Sequence, residues 1–274
     1  MAVLAVFSIY PTVSSVWLSL HAKHVFEPTS TFVGLQNYLT LLKSEDFWLS
    51  LSNGVIFGAA TVSLQLLLGI GTALLLQNRF RGRGFVRGLV LLPFVVPTIV
   101  AVLIWKWMLN DLYGVVNLTL VRLGIISDPI LWFASPSLAM ATVIFINVWL
   151  FFPFITIHAL ARLQMIPAEL YDAARVDGAG ALQRFHHVIL PQLRSTILLV
   201  VFIRFIWQFN KFDSVWLLTE GGPLGATQTL PLLAYLKAFG EYQLGLGAAV
   251  ATSIFLILSG CAVLYSRAMN REME

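Results

Sequence analysis

Long apolar runs separated by short polar connections form the main pattern of this sequence. Six runs are each near the roughly 20 residues that a helix needs to cross a lipid bilayer. The runs cover approximately residues 2–20, 48–76, 89–109, 138–160, 196–218 and 244–265. The pattern predicts an all-α integral membrane protein with six transmembrane helices, in which residues 1–274 form a single transmembrane domain.

The longest polar interruption of this pattern, residues 162–194, predicts a helix that begins near Pro167. Proline suits the first turn of a helix, because its missing N–H costs nothing there. Glu169 and Asp172 then place negative charge near the positive end of the helix dipole. Gly178 permits a sharp turn after the helix.

A second short helix is expected after this turn, from Ala181 to about Val188. Pro191 should stop that helix, because proline cannot donate the backbone hydrogen bond that continues it. The next apolar run begins directly afterwards.

The composition indicates that lipid is the solvent for most of the chain. Hydrophobic residues make up 58% of the sequence and charged residues only 11%, which is too few charges to cover a soluble domain. The net charge of +4 does not indicate nucleic acid, because the basic residues lie between apolar segments and not on one face. We therefore expect membrane lipid as a partner, and no nucleic acid.

Lys and Arg predict the orientation, because cytoplasmic connections carry an excess of them. They concentrate in the second connection, the fourth connection and the tail, at Arg79, Arg81, Arg83, Arg87, Arg162, Arg175, Arg184, Arg194, Arg267 and Arg271. Both termini and residues 162–194 are therefore expected in the cytoplasm. No basic region precedes the first run, which favours a late start or a missing short lead over a cleaved signal peptide.

The fifth run carries polar residues that are costly at membrane depth. Arg204 lies near the middle of the run, where a charge needs water or a partner. At spacings i, i+3, i+4 and i+7 the run places on one helical face Arg204, Trp207, Gln208 and Lys211. This face predicts a hydrated cavity, and an interhelix ion pair of Arg204 is the alternative. Asp213 is the only acid of the run and lies off the face.

The polar interruption resembles the cytoplasmic "EAA" loop of permease subunits in binding-protein-dependent ABC importers. The family pattern is E-A-A, three residues, G, nine residues, I-x-L-P. The matching positions are Asp172-Ala173-Ala174, Gly178 and Val188-Ile189-Leu190-Pro191. Asp172 and Val188 depart from the pattern, each by a chemically close residue. An amphipathic helix on the membrane surface is the alternative.

The resemblance implies a type I ABC importer permease in a bacterial inner membrane. Its partners would be ABC ATPase subunits, a second permease subunit (a paralogue rather than a self-pair) and an extracytoplasmic solute-binding protein. The coupling residues would be Glu169, Asp172, Ala173, Ala174, Asp177, Gly178 and Pro191. A further family pattern, L-T-x-G-G-P, matches Gly221-Gly222-Pro223 and implies that the binding protein docks there.

The maltose-type members of this family bind sugar near the membrane midplane through the fourth and fifth runs. The positions that match are Asn147, Leu150, Phe151, Phe154, Arg204, Trp207, Gln208 and Lys211. Aromatic faces and amides suit a sugar, because rings stack on C–H surfaces and amides bond hydroxyls. The cations Arg204 and Lys211 depart from a neutral-sugar site, and indicate either an anionic substrate or a carboxylate on the partner subunit.

No catalytic constellation or cofactor site is expected. The sequence contains no G-x-x-x-x-G-K-[ST] loop, no Cys/His cluster and no paired carboxylates that face a common cavity, so ATP would be bound by a partner subunit. We predict a non-enzymatic permease subunit for a sugar or sugar derivative. The alternatives are import of a polyol, a glycerophosphate-like or other small anionic solute, and more distantly an ion-coupled secondary transporter.

Overall fold

The computed structural model describes residues 7, 9–78 and 80–273. The first part of the first apolar run and Arg79 therefore lie outside the described residues. The helices are α1 (Tyr10–Ser19), α2 (Gln36–Lys43), α3 (Glu45–Gln77), α4 (Arg83–Val95), α5 (Thr98–Met108), α6 (Val115–Arg122), α7 (Pro136–Gln164), α8 (Ala168–Val176), α9 (Ala181–Arg184), α10 (Leu190–Phe209), α11 (Asp213–Thr219), α12 (Leu230–Tyr235) and α13 (Leu244–Met273). Two π-helical turns, Phe185–Ile189 and Leu236–Gly240, and an antiparallel pair of strands, β1 (His21–Ala22) and β2 (Thr31–Phe32), complete the described elements.

Several helices of the described chain are long and apolar enough to cross a membrane. Four meet both conditions among the described residues: Glu45–Gln77, Pro136–Gln164, Ala181–Phe209 and Leu244–Arg267. The all-α membrane fold class is thus confirmed at the level of its elements.

The third apolar run is a bent pair of helices. α4 and α5 meet at an angle of 94°. The break lies at Val96 and Pro97, where Pro97 precedes α5 with extended backbone. Pro93 lies inside α4 and is buried, so only the second of the two prolines interrupts the run.

The expected stop at Pro191 is wrong. A continuous helical segment runs from Ala181 to Phe209 and includes Pro191. The π-helical turn Phe185–Ile189 precedes the proline, and Leu190 N–H bonds the carbonyl of Phe185. This wider turn shifts the hydrogen-bond pattern just ahead of Pro191, where the proline ring would clash with a regular helix.

The fifth run ends earlier than its hydropathy indicates. α10 ends at Phe209, residues 210–212 are not helical, and the short α11 follows. The Asp213 side chain accepts a hydrogen bond from the backbone N–H of Ser214, over 2.9 Å. Asp213 is the first residue of α11, where a carboxylate interacts favourably with the positive end of the helix dipole.

The chain forms two compact units, and unit 1 contains residues 1–57, 131–140 and 209–274. Within it, α13 packs on α1 and α12. Small residues permit the approach of α13 to α12: a Cβ at Gly247 would lie 3.0 Å from the carbonyl oxygen of Ala234, and Ala249 is fully buried. Asn37 ties α2 to the chain around β1 by donating to the carbonyls of Ser19 and His21, over 2.8 and 3.0 Å.

Unit 2 contains residues 58–130 and 141–208. Its parts of α3 and α7 approach closely at Gly69, where a Cβ would lie 2.7 Å from Cβ of Ile155. The hydroxyls of Thr72 and Thr156 lie 2.6 Å apart at the same interface. A cluster of buried side chains lies beneath the connection from α7 to α10, formed by Ala73, Ala159, Leu163, Ile166, Ile189 and Leu193.

Candidate functional site

Arg204 lies in the interior of unit 2 and is only 2% exposed. Its Nε donates to Oε1 of Gln65 over 3.1 Å, and its Nη2 donates to Oε1 of Gln208 over 3.3 Å. Its guanidinium carbon lies 4.6 Å from the ring centre of Phe151. Neutral amides and an aromatic face stabilise the cation, but they do not neutralise it.

Gln65 links this arginine to α7. The side chain is fully buried, and its Nε2 donates to the backbone carbonyl of Asn147 over 2.9 Å. Asn147 is also buried and its Nδ2 donates to the carbonyl of Val143 over 2.9 Å. The predicted residue Asn147 is therefore linked to Arg204 through Gln65, which bonds its backbone carbonyl.

Two further predicted residues close the cluster with aromatic rings. The rings of Phe154 and Trp207 lie 5.4 Å apart, and the Arg204 guanidinium lies 5.8 and 5.7 Å from their centres. Trp207 is 51% exposed, whereas Gln208 is only 1% exposed. Nε2 of Gln208 has no hydrogen-bond partner among the residues that the structure describes. The site thus presents an aromatic surface beside a donor that lacks an acceptor.

Two other predicted residues are placed differently. Leu150 is buried in the core of unit 2, at 1% exposure. Lys211 lies in unit 1, beyond the end of α10, and its ammonium group pairs with Asp213 over 3.0 Å. The prediction that Lys211 shares a helical face with the other three residues is therefore wrong, because the helix ends at Phe209.

Sequence reasoning missed three residues of this region, namely Gln65, Phe94 and His158. Phe94 lies 6.3 Å from Phe151 and 6.0 Å from Phe154 between ring centres, and His158 lies 4.3 Å from Phe154. An amide near the middle of an apolar run, such as Gln65, indicates a polar partner across a helix interface. Phe94 carries no comparable signal, because aromatic residues are frequent throughout the chain.

Helix α8 is the second predicted site, and it lies on the surface of unit 2. None of its residues, all of which the structure describes, is buried. Glu169 lies in the first turn, as the sequence predicts. Asp172 accepts a hydrogen bond from Arg175 over 3.2 Å, with about two-thirds of each side chain exposed. Leu170 and Val176 are also exposed, at 41% and 88%.

Gly178 ends α8 by a defined hydrogen-bond pattern. Its φ is +75°, and its N–H bonds the carbonyl of Arg175 over 3.0 Å. Ala179 N–H bonds the carbonyl of Ala174 over 2.9 Å. These two bonds form a Schellman cap, which favours glycine because its first residue outside the helix has positive φ. The predicted turn at Gly178 is confirmed.

The connection between α11 and α12 contains the third predicted site, Gly221-Gly222-Pro223. Gly221 has a φ of +89°, and the peptide bond between Gly222 and Pro223 is cis. The hydroxyl of Thr227 donates to the carbonyl of Gly222 over 2.9 Å, and Asn53 Nδ2 donates to the carbonyl of Gly225 over 2.9 Å. One side chain within the connection and one from α3 therefore fix the shape of the connection.

The sequence of this chain is similar to a family of transport proteins and to several of its members. Residues 65–273 match the family described as "Binding-protein-dependent transport system inner membrane component". The trehalose/maltose transport system permease protein MalF of Thermococcus litoralis is 38% identical over 266 residues, which cover 97% of this chain and 89% of MalF. The diacetylchitobiose uptake system permease protein DasB of Streptomyces coelicolor is 34% identical over 93% of this chain and 79% of DasB.

A solved structure shows the same fold. It is a bacterial alginate ABC transporter in complex with a periplasmic protein that holds an alginate pentasaccharide. One of its chains aligns with a TM-score of 0.85 over 99% of this chain and 91% of that chain, at 20% identity. The predicted fold class, that of ABC importer permeases, is confirmed by this match.

Proposed function

Since this chain belongs to the family of binding-protein-dependent transport system inner membrane components, we propose that it lines the pathway of an ABC importer for a sugar. Its relatives MalF and DasB, named for trehalose/maltose transport and diacetylchitobiose uptake, support this substrate class. The chain would be a non-enzymatic subunit without a cofactor of its own. A second permease subunit, ABC ATPase subunits and a solute-binding protein would complete the importer.

The observation that carries this proposal is that α8 lies at the surface of unit 2 with none of its residues buried. α8 exposes apolar side chains, and its C-terminal end is fixed by a cap. A helix with these two properties suits a cleft on another protein. The ATPase would provide the cleft, where Glu169 and Asp172 meet basic residues. Ala173 and Ala174 would permit close contact, because a methyl side chain keeps the two backbones near each other.

Coupling would follow from what lies under α8. The buried cluster that includes Leu163 of α7, Ile189 of the π-helical turn and Leu193 of α10 packs against Tyr171 of α8. A packed cluster transmits displacement without deforming, so movement of α8 would move the attached ends of α7 and α10 as rigid bodies. The direction of that movement would be fixed by two features. These are the capped turn from Asp177 to Gly178 and the continuous helix through Pro191.

The substrate pathway would pass the Arg204 cluster. The exposed ring of Trp207, with Phe151 and Phe154 beside it, offers faces on which a sugar ring stacks. The unpaired Nε2 of Gln208 is buried, so it would donate to a sugar hydroxyl only after the pathway opens beside it. Asn147, Leu150 and Lys211 complete the proposed set, with Leu150 in a supporting role because it is buried.

The membrane orientation proposed from the charges places both termini and α8 in the cytoplasm of a bacterium. Gly221, Gly222 and Pro223 would then lie on the outer side, where a solute-binding protein docks. The inner-membrane location agrees with the description of the family.

A second candidate substrate class is a small anionic solute, such as a glycerophosphate-like compound. Arg204 favours it, because its partners among the described residues are amides and aromatic rings, and none is a carboxylate. Arg204→Met keeps most of the side-chain volume and removes the charge. Uptake of an anion should then fall more than about tenfold relative to uptake of a neutral sugar. Equal effects on the two solutes would contradict this candidate.

Reconstitution tests the proposed function directly. The chain would be purified with its copurifying ATPase and permease subunits, placed in liposomes, and supplied with its cognate solute-binding protein. We expect uptake of radiolabelled maltose, trehalose or diacetylchitobiose with ATP, and none with a non-hydrolysable analogue. Uptake by this chain in vesicles that lack any ATPase would refute the proposal.

A further inference from the structure

A cavity of about 690 Å³ lies in unit 2, between the end of α3, helix α8, and the segment that runs from α9 into the π-helical turn Phe185–Ile189. Its polar lining consists of Gln77, Asn78, Tyr171, Asp172, Arg175 and Arg184. Sites for small organic ligands have volumes of roughly 300–1,000 Å³. The cavity is therefore large enough for a phosphate ester.

The polar lining carries a positive charge that is not neutralised within it. Asp172 and Arg175 form an ion pair over 3.2 Å, so these two charges offset each other. The guanidinium of Arg184 has no hydrogen-bond or ion-pair partner among the residues that the structure describes. A guanidinium presents its N–H donors as a planar fork, which binds a phosphate or a carboxylate through two oxygens at once. Arg184 thus favours an anionic ligand of this kind.

Other polar groups lie beside this charge. Nε2 of Gln77 donates to the Tyr171 hydroxyl over 3.0 Å, which leaves the phenolic hydrogen available for another acceptor. The amide of Asn78 is exposed, and its Nδ2 reaches the carbonyl of Leu74 only at 3.5 Å. These two donors can share the remaining oxygens of a bound anion.

One wall of the same cavity is apolar. It is formed by Leu74 of α3 and by Phe185 and Ile189 of the π-helical turn. α3 is long and apolar enough to cross a membrane, and it ends at Gln77, about one turn beyond Leu74. The end of a span lies where the hydrocarbon gives way to the lipid headgroups. The cavity therefore combines a cationic part with an apolar part at the level of the headgroups.

We propose that this cavity binds the headgroup phosphate of an anionic phospholipid. Arg184 would hold the phosphate, and Tyr171 and Asn78 would donate to its oxygens. Leu74 and Phe185 would cover the first carbons of an acyl chain. Basic pockets beside transmembrane helices recognise anionic headgroups by the same chemistry. A soluble phosphate ester would use the same polar groups but would gain nothing from the apolar wall.

The site covers only one face of α8. At spacings i, i+3, i+4 and i+7, this face lines the cavity with Ala168, Tyr171, Asp172 and Arg175. Glu169, Ala173 and Ala174, which the proposed function assigns to the ATPase, are described by the structure and do not line the cavity. The lipid and the ATPase would therefore use different faces of α8, which meet at Asp172.

The test measures lipid binding to the purified, delipidated transporter by native mass spectrometry. It compares phosphatidylglycerol, which is anionic, with phosphatidylcholine of identical acyl chains, which has no net charge. Arg184→Met removes the charge and keeps most of the side-chain volume. We expect this variant to bind phosphatidylglycerol at least about fivefold more weakly, as for the loss of one arginine near an anionic lipid. Its binding of phosphatidylcholine should stay within about twofold.

Two further variants separate the cavity from the overall charge. Ala181→Trp fills the cavity from its lining and keeps every charge, so it should also weaken binding of phosphatidylglycerol. Arg267→Met is the matched control, because Arg267 is an exposed arginine of α13 that lies outside the lining and on the side expected to be cytoplasmic. This control should bind both lipids as the unaltered transporter does.

Equal binding of the two lipids by the unaltered transporter would overturn the inference, and so would unchanged binding of phosphatidylglycerol by Arg184→Met. Glycerophosphate at millimolar concentration should not displace the lipid, because it lacks acyl chains. Displacement would overturn the lipid assignment and identify a soluble phosphate ester as the ligand. The measurement needs neither ATP nor a transported solute, so a negative result would leave the proposed function unaffected.

Discussion

Arg204 and Gln65 are joined by a hydrogen bond of 3.1 Å inside unit 2, between residues that are 139 positions apart in the chain. A neutral amide thereby occupies a place where a carboxylate would form an ion pair. The amide solvates the guanidinium and leaves its positive charge in the interior, which is costly in lipid surroundings. The same hydrogen bond thus has two effects. It joins α3 to α10, and it holds the positive charge of Arg204 beside the proposed pathway.

Gln65→Leu should destabilise the chain, because Arg204 then loses an acceptor in a buried site. We expect a loss of about 1.5–3 kcal/mol, as for a hydrogen bond to a charged group, measured by thermal unfolding in detergent. Gln77→Leu is the control: its amide bonds the Tyr171 hydroxyl over 3.0 Å at a partly exposed place, and its loss should cost about 0.5–1.5 kcal/mol. Adding Arg204→Met to Gln65→Leu should restore part of the loss, since no buried charge remains.

Substitution of Gly178 should separate ATP hydrolysis from uptake. No atom lies within 4 Å of a Cβ built at Gly178, so Gly178→Val acts through the positive φ and not through a clash. We expect Gly178→Val to abolish uptake while the membrane spans stay folded, with a loss of thermal stability of about 1–3 kcal/mol for a non-glycine residue at positive φ. Gly178→Asn tolerates positive φ and should retain most uptake. Normal uptake by the valine variant would contradict the coupling role.

Asp172 should contribute to ATPase binding and little to folding. Its ion pair with Arg175 is exposed, and such pairs contribute about 0–1 kcal/mol to stability. Asp172→Asn should therefore leave thermal unfolding unchanged but reduce the amount of ATPase that copurifies at low salt. The difference from the unaltered protein should shrink at high salt, because ions screen exposed charges. Glu241→Gln, which breaks the Lys237–Glu241 pair in unit 1, should retain the ATPase fully.

Labelling of single cysteines should establish the orientation. In a Cys261→Ser background, Leu182→Cys and Leu112→Cys place a thiol at positions that are 71% and 87% exposed. A membrane-impermeant maleimide added to intact cells should label position 112 and reach position 182 only after lysis. Labelling of position 182 from outside would show that α8 and α9 do not face the cytoplasm.

Local signals explain why α8 could be predicted closely from the sequence. Pro167 ahead of the helix, Glu169 in its first turn and Gly178 after its end act within one or two turns of the chain. The turn at Gly221 followed from its Gly-Gly-Pro sequence in the same way. Such residues determine backbone conformation by their own geometry, so neighbours distant in sequence change little.

Long-range packing explains what could not be predicted. The helix continues through Pro191 because a π-helical turn precedes it, and no residue type marks that turn in advance. Gln65 meets Arg204 only because two distant helices pack together, and helical periodicity within one run carries no such information. Periodicity predicts that Lys211 shares a helical face with Arg204, because hydropathy alone does not show that the helix ends at Phe209.

The π-helical turn at Phe185–Ile189 also determines how this region would respond to a change in length. It holds one more residue than a regular turn, and each residue corresponds to about 100° around a helix axis. Deleting one residue there would convert the turn to regular α-helix and would leave Arg204 facing Gln65. Deleting a residue between this turn and Arg204 would instead rotate Arg204 away from Gln65 by about 100°. The π-helical turn is thus the place in this segment where the chain can lose a residue while the side chains that follow keep their orientation.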